Sequence, residues 1–104
     1  MQPSANPSHL PEGLCAYKRT AEFTQATIPA GLTKDHCTKA GVWGIIHVTA
    51  GRLRYRIADP RRLASDAVLA AGGVPGVVEP TIVHRVDLLD GARFFVEFWR
   101  ADAK

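Results

Sequence analysis

Arg52-Leu53-Arg54-Tyr55-Arg56-Ile57 alternates strictly between charged and apolar residues. Side chains along a strand point to opposite faces in turn, so Leu53, Tyr55 and Ile57 share one face and the three arginines share the other. The segment reads as a strand half-buried against a core. The arginine stripe reads as its solvated face, with an anion or partner surface as the functional alternative. Little aromatic character interleaves with the arginines, so the stripe lacks the stacking platform of a single-strand nucleic-acid binder.

Working outward, Asp59-Pro60 marks a turn after this strand. Residues 44–49 and 82–88 are further runs rich in β-branched residues. In residues 93–99 Phe94, Val96 and Phe98 form one face, and Phe95, Glu97 and Trp99 form the other. Aromatic rings on both faces predict a central strand covered on both sides. A buried Glu97 would need a partner, and an arginine from a neighbouring strand is the natural one. Ala50-Gly51, Gly72-Gly73, Pro75-Gly76 and Asp90-Gly91 punctuate the runs. Residues 61–71 lack a clear apolar stripe. They read as a loop, with room for one helical turn, followed by a strand at 67–70. Short strands broken this often predict an all-β fold, a small sandwich or barrel.

The chain has 104 residues, 46% of them apolar and 22% charged, which is the composition of one ordinary globular domain. Residues 1–9 read as a mobile tail, 10–100 as the domain and 101–104 as a frayed end. A net charge of +3 does not by itself imply nucleic acid. Two cysteines, Cys15 and Cys37, are too few for a disulfide scaffold, and a Cys15–Cys37 bridge would need neighbouring strands. There is neither a secretory leader pattern nor an apolar run long enough to span a bilayer. The expectation is a cytoplasmic protein with no membrane and no nucleic-acid partner.

Two histidines carry the chemical signal. His36 opens the run from His36 to Gly44, and His84 lies with Ile82, Val86 and Leu88 on the apolar face of its strand. Alternation from an inward His36 turns Thr38 inward and Cys37 outward, and it turns His47 away from the core. Glu79, held by Pro80, lies just upstream of His84. Two imidazoles and a carboxylate suit zinc, iron, nickel or manganese, with an open position for a ligand. The competing reading is a pair of core histidines satisfied by backbone carbonyls. Trp43 is either a wall of the same pocket or simple core.

Longer motifs point to a family. Residues 10–14, 17–20 and 28–32 resemble the opening of the TehB/YeaR-like domain family. The likeness continues through 36–44, 51–55, Val78-Glu79-Pro80, His84 and 93–98. The resemblance implies a small cupin-like β-sandwich of jelly-roll type and a setting in tellurite resistance or nitrosative and oxidative stress. In cupin terms His36 matches the first histidine of a metal site and His84 the later one. Thr38 stands where a second histidine would be, Gly44 lies near the glutamate position, and Arg85 follows His84.

Three functions follow as expectations. The first is a divalent metal held by His36, Glu79 and His84, with Thr38, Lys39, Trp43 and Arg85 around a small-molecule or oxyanion ligand. The second is a metal-free binding or sensor module using the same pocket. The third is a structural or assembly protein, homodimeric through a sheet edge or face. The chain carries no glycine-rich fingerprint, so no nucleotide cofactor is expected. No nucleophile–base pair marks it as an enzyme.

Overall fold

The computed structural model describes residues 4–101. Of the two expected tails, residues 1–3 and 102–104 lie outside this range, and Ala101 ends the last strand. Ser4 forms a parallel bridge with Arg62, and the Asn6 amide donates to the Leu63 carbonyl at 2.8 Å.

The fold is all-β, as the alternation predicts. Its strands are β1 (Leu14–Arg19), β2 (Trp43–Ile57), β3 (Ser65–Ala70), β4 (Gly76–Val78) and β5 (His84–Ala101). One 3-10 turn, Ala30–Thr33, interrupts the β1–β2 connection. All pairings between strands are antiparallel, in the order β1-β5-β2-β3, with β4 pairing β2 beyond the end of β3. The strand expected at residues 67–70 starts two residues earlier, at Ser65.

β2 and β5 form one long ribbon, 15 residues against 18. Its register breaks at Ala50, between Val48 and Arg52, and such a bulge bends a strand. Gly51 sits at φ +64°, and a Cβ on it would lie 2.6 Å from the Asp90 carbonyl oxygen. Only glycine fits so close an approach of two backbones. The bend carries the second half of the ribbon over the first. Tyr55, on the second half, donates its hydroxyl to the Val77 carbonyl at 2.8 Å. Val77 belongs to β4, which pairs with the first half of β2 through Gly44–Ile46. One continuous sheet thus supplies two facing layers.

The core lies between them. Leu53, Tyr55 and Ile57 are buried, as their alternation requires, with Ile46, Val78, Ile82, Val86 and Phe94. Burial drives the Tyr55 phenol well above its usual range, with the charge of Glu79 adding to it. The three arginines of the opposite face each meet a carboxylate: Arg52 with Asp90, Arg54 with Asp66 and Arg56 with Asp87. The stripe is a solvated, charge-paired face.

β5 lies between β1 and β2, the central place its two aromatic faces predict. The partner expected for Glu97 differs. Its carboxylate accepts from the Trp99 indole at 2.9 Å and lies 3.5 Å from His47 Nε2. Arg19, directly across from Glu97, stacks over the Phe95 ring at 4.2 Å instead.

Candidate functional site

The two layers do not fill the space between them at the β1 end. They leave a cavity of about 450 Å³, in the range of small-molecule pockets. Phe94, Val96 and Phe98 of β5 supply one wall, in the alternation legible in the sequence. Ile46 and Val78 extend that wall on the neighbouring strands, His84 and Val86 line it from the second half of the ribbon, and the β1–β2 connection adds Leu32, His36, Cys37, Thr38, Lys39 and Val42.

His36 and His84 meet here. Their backbones form an antiparallel bridge with reciprocal 2.9 Å hydrogen bonds. Bridged residues project side chains to the same side, and the ring centroids lie 4.2 Å apart. The Nδ1 of His36 is 2.8 Å from the Lys34 carbonyl, and that of His84 is 3.0 Å from the Ile82 carbonyl. A carbonyl can only accept, so both Nδ1 atoms carry protons, and in a neutral ring this leaves Nε2 with a bare lone pair. His84 is 5% exposed and packs edge-on against Tyr55. Burial pulls its pKa down to about 4; the Ile82 carbonyl opposes the fall, and His36 adds slightly to it. The deep imidazole is neutral across the physiological range.

The other expected site residues divide. Thr38 lines the cavity and donates its hydroxyl to the Val42 carbonyl at 2.7 Å, bracing the connection. Lys39 is at the mouth. Glu79 is not in the lining: the Arg62 guanidinium engages both of its oxygens, so they are spent on an ion pair. Trp43 faces Trp99 across the β2–β5 ladder and is also outside the lining. Arg85 lies on the face opposite His84 and pairs with Asp35 at 3.2 Å. His47 is turned away from the cavity as expected and stacks on Phe95 with centroids 4.7 Å apart.

Cys37 is exposed, the outward side that alternation gives it, and it also borders the cavity. Residues 37–39 follow no regular path. Cys37 and Cys15 are both free thiols. Sequence reasoning also missed Phe23, Leu32 and Lys18 as lining residues. Phe23 had a usable signal only in three dimensions: its backbone bridges Phe94, and the rings meet edge-on at 5.6 Å.

The fold and cavity define a small all-β domain with a chamber between two layers of a doubled sheet. The chain belongs to the TehB-like domain family, whose model matches residues 18–96. It is 29% identical over 77 residues to the probable S-adenosyl-L-methionine-dependent methyltransferase TehB of Haemophilus influenzae strain KW20 / Rd. That match covers 73% of this chain and 27% of the relative. The corresponding protein of strain 10810 is 27% identical over the same length. The chain therefore spans about a quarter of the length of these relatives. The crystal structure of Haemophilus influenzae TehB superposes with a TM-score of 0.78 at 24% identity, over 86% of this chain and 32% of that one. A protein of Escherichia coli strain K12 superposes at 0.80 and 22% identity, over 91% of this chain and 98% of that one. At these identities the two structures establish a shared fold. The domain thus occurs both as part of a longer protein and as nearly a whole one.

The relatives correct the functional expectation. They are named as probable S-adenosylmethionine-dependent methyltransferases, which overturns the expectation of a metal-binding cupin and of a divalent metal as cofactor. The same name overturns the expectation that no nucleotide-type cofactor is involved. The geometry explains the failure of the metal site. Among the described residues no three histidine, cysteine or carboxylate side chains converge, because Glu79 is held by Arg62. No helix of the described residues is long and apolar enough to cross a membrane.

Proposed function

We propose that this chain serves S-adenosylmethionine-dependent methyl transfer as the module that holds the methyl acceptor. The single observation that carries this reading is the cavity at His36 and His84, in a domain whose relatives are methyltransferases. S-adenosylmethionine presents an amino group, a sulfonium and ribose hydroxyls, which carboxylates bind well. Among the described residues lining the cavity there is no aspartate or glutamate, and Lys18 and Lys39 stand at its mouth. The cavity does not fit the methyl donor, and in this reading the donor is bound elsewhere. A mainly apolar lining with a few placed polar groups suits a small acceptor. A cytoplasmic site of action belongs to the same reading, since free exposed thiols suit a reducing compartment.

The test follows methyl groups in the source cells. Cells fed methyl-labelled methionine are compared with and without the gene, and after its return as wild type or as Val96→Trp, which fills the cavity. One or more labelled small-molecule products should vanish with the gene, return with the wild type and stay absent with the filled variant. A labelled pool that does not depend on the gene overturns the reading.

A further inference from the structure

The polar groups of the cavity restrict what can enter it. His84 Nε2 makes no hydrogen bond to the described residues, and it is not among the sealed polar atoms that lack a partner. It is therefore open to the cavity. Ile46, Val78, Val86 and Phe94 line the same cavity. An acceptor in such surroundings loses its water when a ligand arrives, and the loss must be made good by a donor. The His36 ring stands beside it, its Nδ1 likewise turned to a backbone carbonyl.

Three ligand classes can be weighed against this pair. A carboxylate or other oxyanion would set its lone pairs against that of the neutral His84 imidazole. An ammonium group brings donors, but it would pass Lys18 and Lys39 with no carboxylate in the lining to hold it. A neutral hydroxyl brings one donor and no charge. Phe23, Phe94 and Phe98 offer ring faces and edges to the body behind it.

We propose that the cavity selects a small neutral aromatic alcohol of the phenol class, which donates its hydroxyl to Nε2 of His84. This deepens the acceptor-holding reading and rests on it. Replacement of the hydroxyl hydrogen by a methyl group removes the one donor the imidazole requires and adds bulk at the same point. The site that holds the acceptor thus discriminates against its methyl ether, so it favours emptying after methylation. Recognition by hydrogen bonding rejects an analogue lacking the donor more strongly than apolar packing rejects an extra methylene.

The experiment uses three matched probes, p-cresol, its methyl ether and p-toluate, titrated calorimetrically into the intact chain at neutral pH. p-Cresol should bind at least about tenfold more tightly than the ether, the worth of roughly one hydrogen bond. p-Toluate should bind more weakly than p-cresol. In His84→Phe the preference for p-cresol over the ether should disappear. A nitrogen-15 spectrum of the wild type gives a measurement that does not rely on the variant folding: the His84 Nε2 resonance should shift with p-cresol and stay in place with the ether. Equal binding of phenol and ether, preference for p-toluate, no binding of p-cresol, or an unmoved Nε2 overturns the proposal. Such an outcome, with the labelled methyl pool still dependent on the gene, would sink the phenol assignment and leave the acceptor-holding reading intact.

Discussion

The two halves of the β2–β5 ribbon use the same apolar alternation for opposite ends. Beyond the bend, Leu53, Tyr55 and Ile57 fill the space between the layers, and Leu53 has no exposed surface. Before the bend, Ile46 and its ladder neighbours Val96 and Phe98 of β5 border a gap of about 450 Å³. Buried apolar residues alone therefore do not distinguish packed core from chamber wall. The difference lies in what comes between the layers. At the filled end the Tyr55 ring spans them and its hydroxyl fastens to β4. At the open end the cover includes the β1–β2 connection, tied to β5 by the His36–His84 bridge and to the turn before it by the Thr81 amide.

The sharpest way to break this contrast is to empty the filled end. Leu53→Ala removes a wholly buried side chain from close-packed surroundings, which costs about 2–5 kcal/mol. Val96→Ala, at a half-buried wall already facing empty space, should cost well under half as much. Urea unfolding of the two variants checks this. Equal losses would mean that the chamber closes up in solution and the two ends pack alike.

Acid should unsettle the open end next. The folded pKa of His84, about 4, lies below the ordinary 6.5, so between these values the unfolded chain binds a proton that the folded one refuses. Stability contributed by this site is therefore complete above pH 6.5 and falls as the pH drops toward 4, by about 3 kcal/mol at most. His84→Phe should lose this slope. Asp59 and Asp66 act in a different window. Arg61 and backbone amides hold the Asp59 carboxyl well below its usual range, and Arg54 lowers that of Asp66. Their contributions persist above the ordinary carboxylate pKa and decline below about pH 4. Unfolding midpoints at stepped pH separate the two windows. A wild type as stable at pH 4.5 as at pH 7 would show that His84 is not shielded from water.

Much of the frame was legible because strand alternation is a local property. Arg52 to Ile57 announced its buried face, and the two aromatic faces of residues 93–99 announced a central strand. The meeting of His36 and His84 was also legible, since both lie on apolar faces. Alternation has no ladder to follow past the single bridged residue His36, so it did not announce that Cys37, though exposed, also borders the cavity. What failed was Glu79. Its nearness to His84 in sequence was visible, but its capture by Arg62, seventeen residues upstream, was a tertiary event. The bend at Gly51 decides the whole architecture, yet in sequence it looked like one more turn among several.

The smallest expected effect belongs to the outside of that bend. Arg52 donates to Asp90 at 2.5 Å, and both side chains are more than half exposed. Water and salt screen such a pair, so Arg52→Ala should change stability by no more than about 1 kcal/mol. The position gives the measurement its interest. Asp90 has φ +50°, and its carbonyl is the atom that excludes any side chain at residue 51. If the ion pair holds the bend, Arg52→Ala and Asp90→Ala should be coupled in a double-mutant cycle and the coupling should survive added salt. If the glycine and the ladder alone set the bend, the coupling should fade with ionic strength, as for any exposed pair. The second outcome is expected. The two halves of the ribbon would then be held in place by backbone fit and not by surface charge.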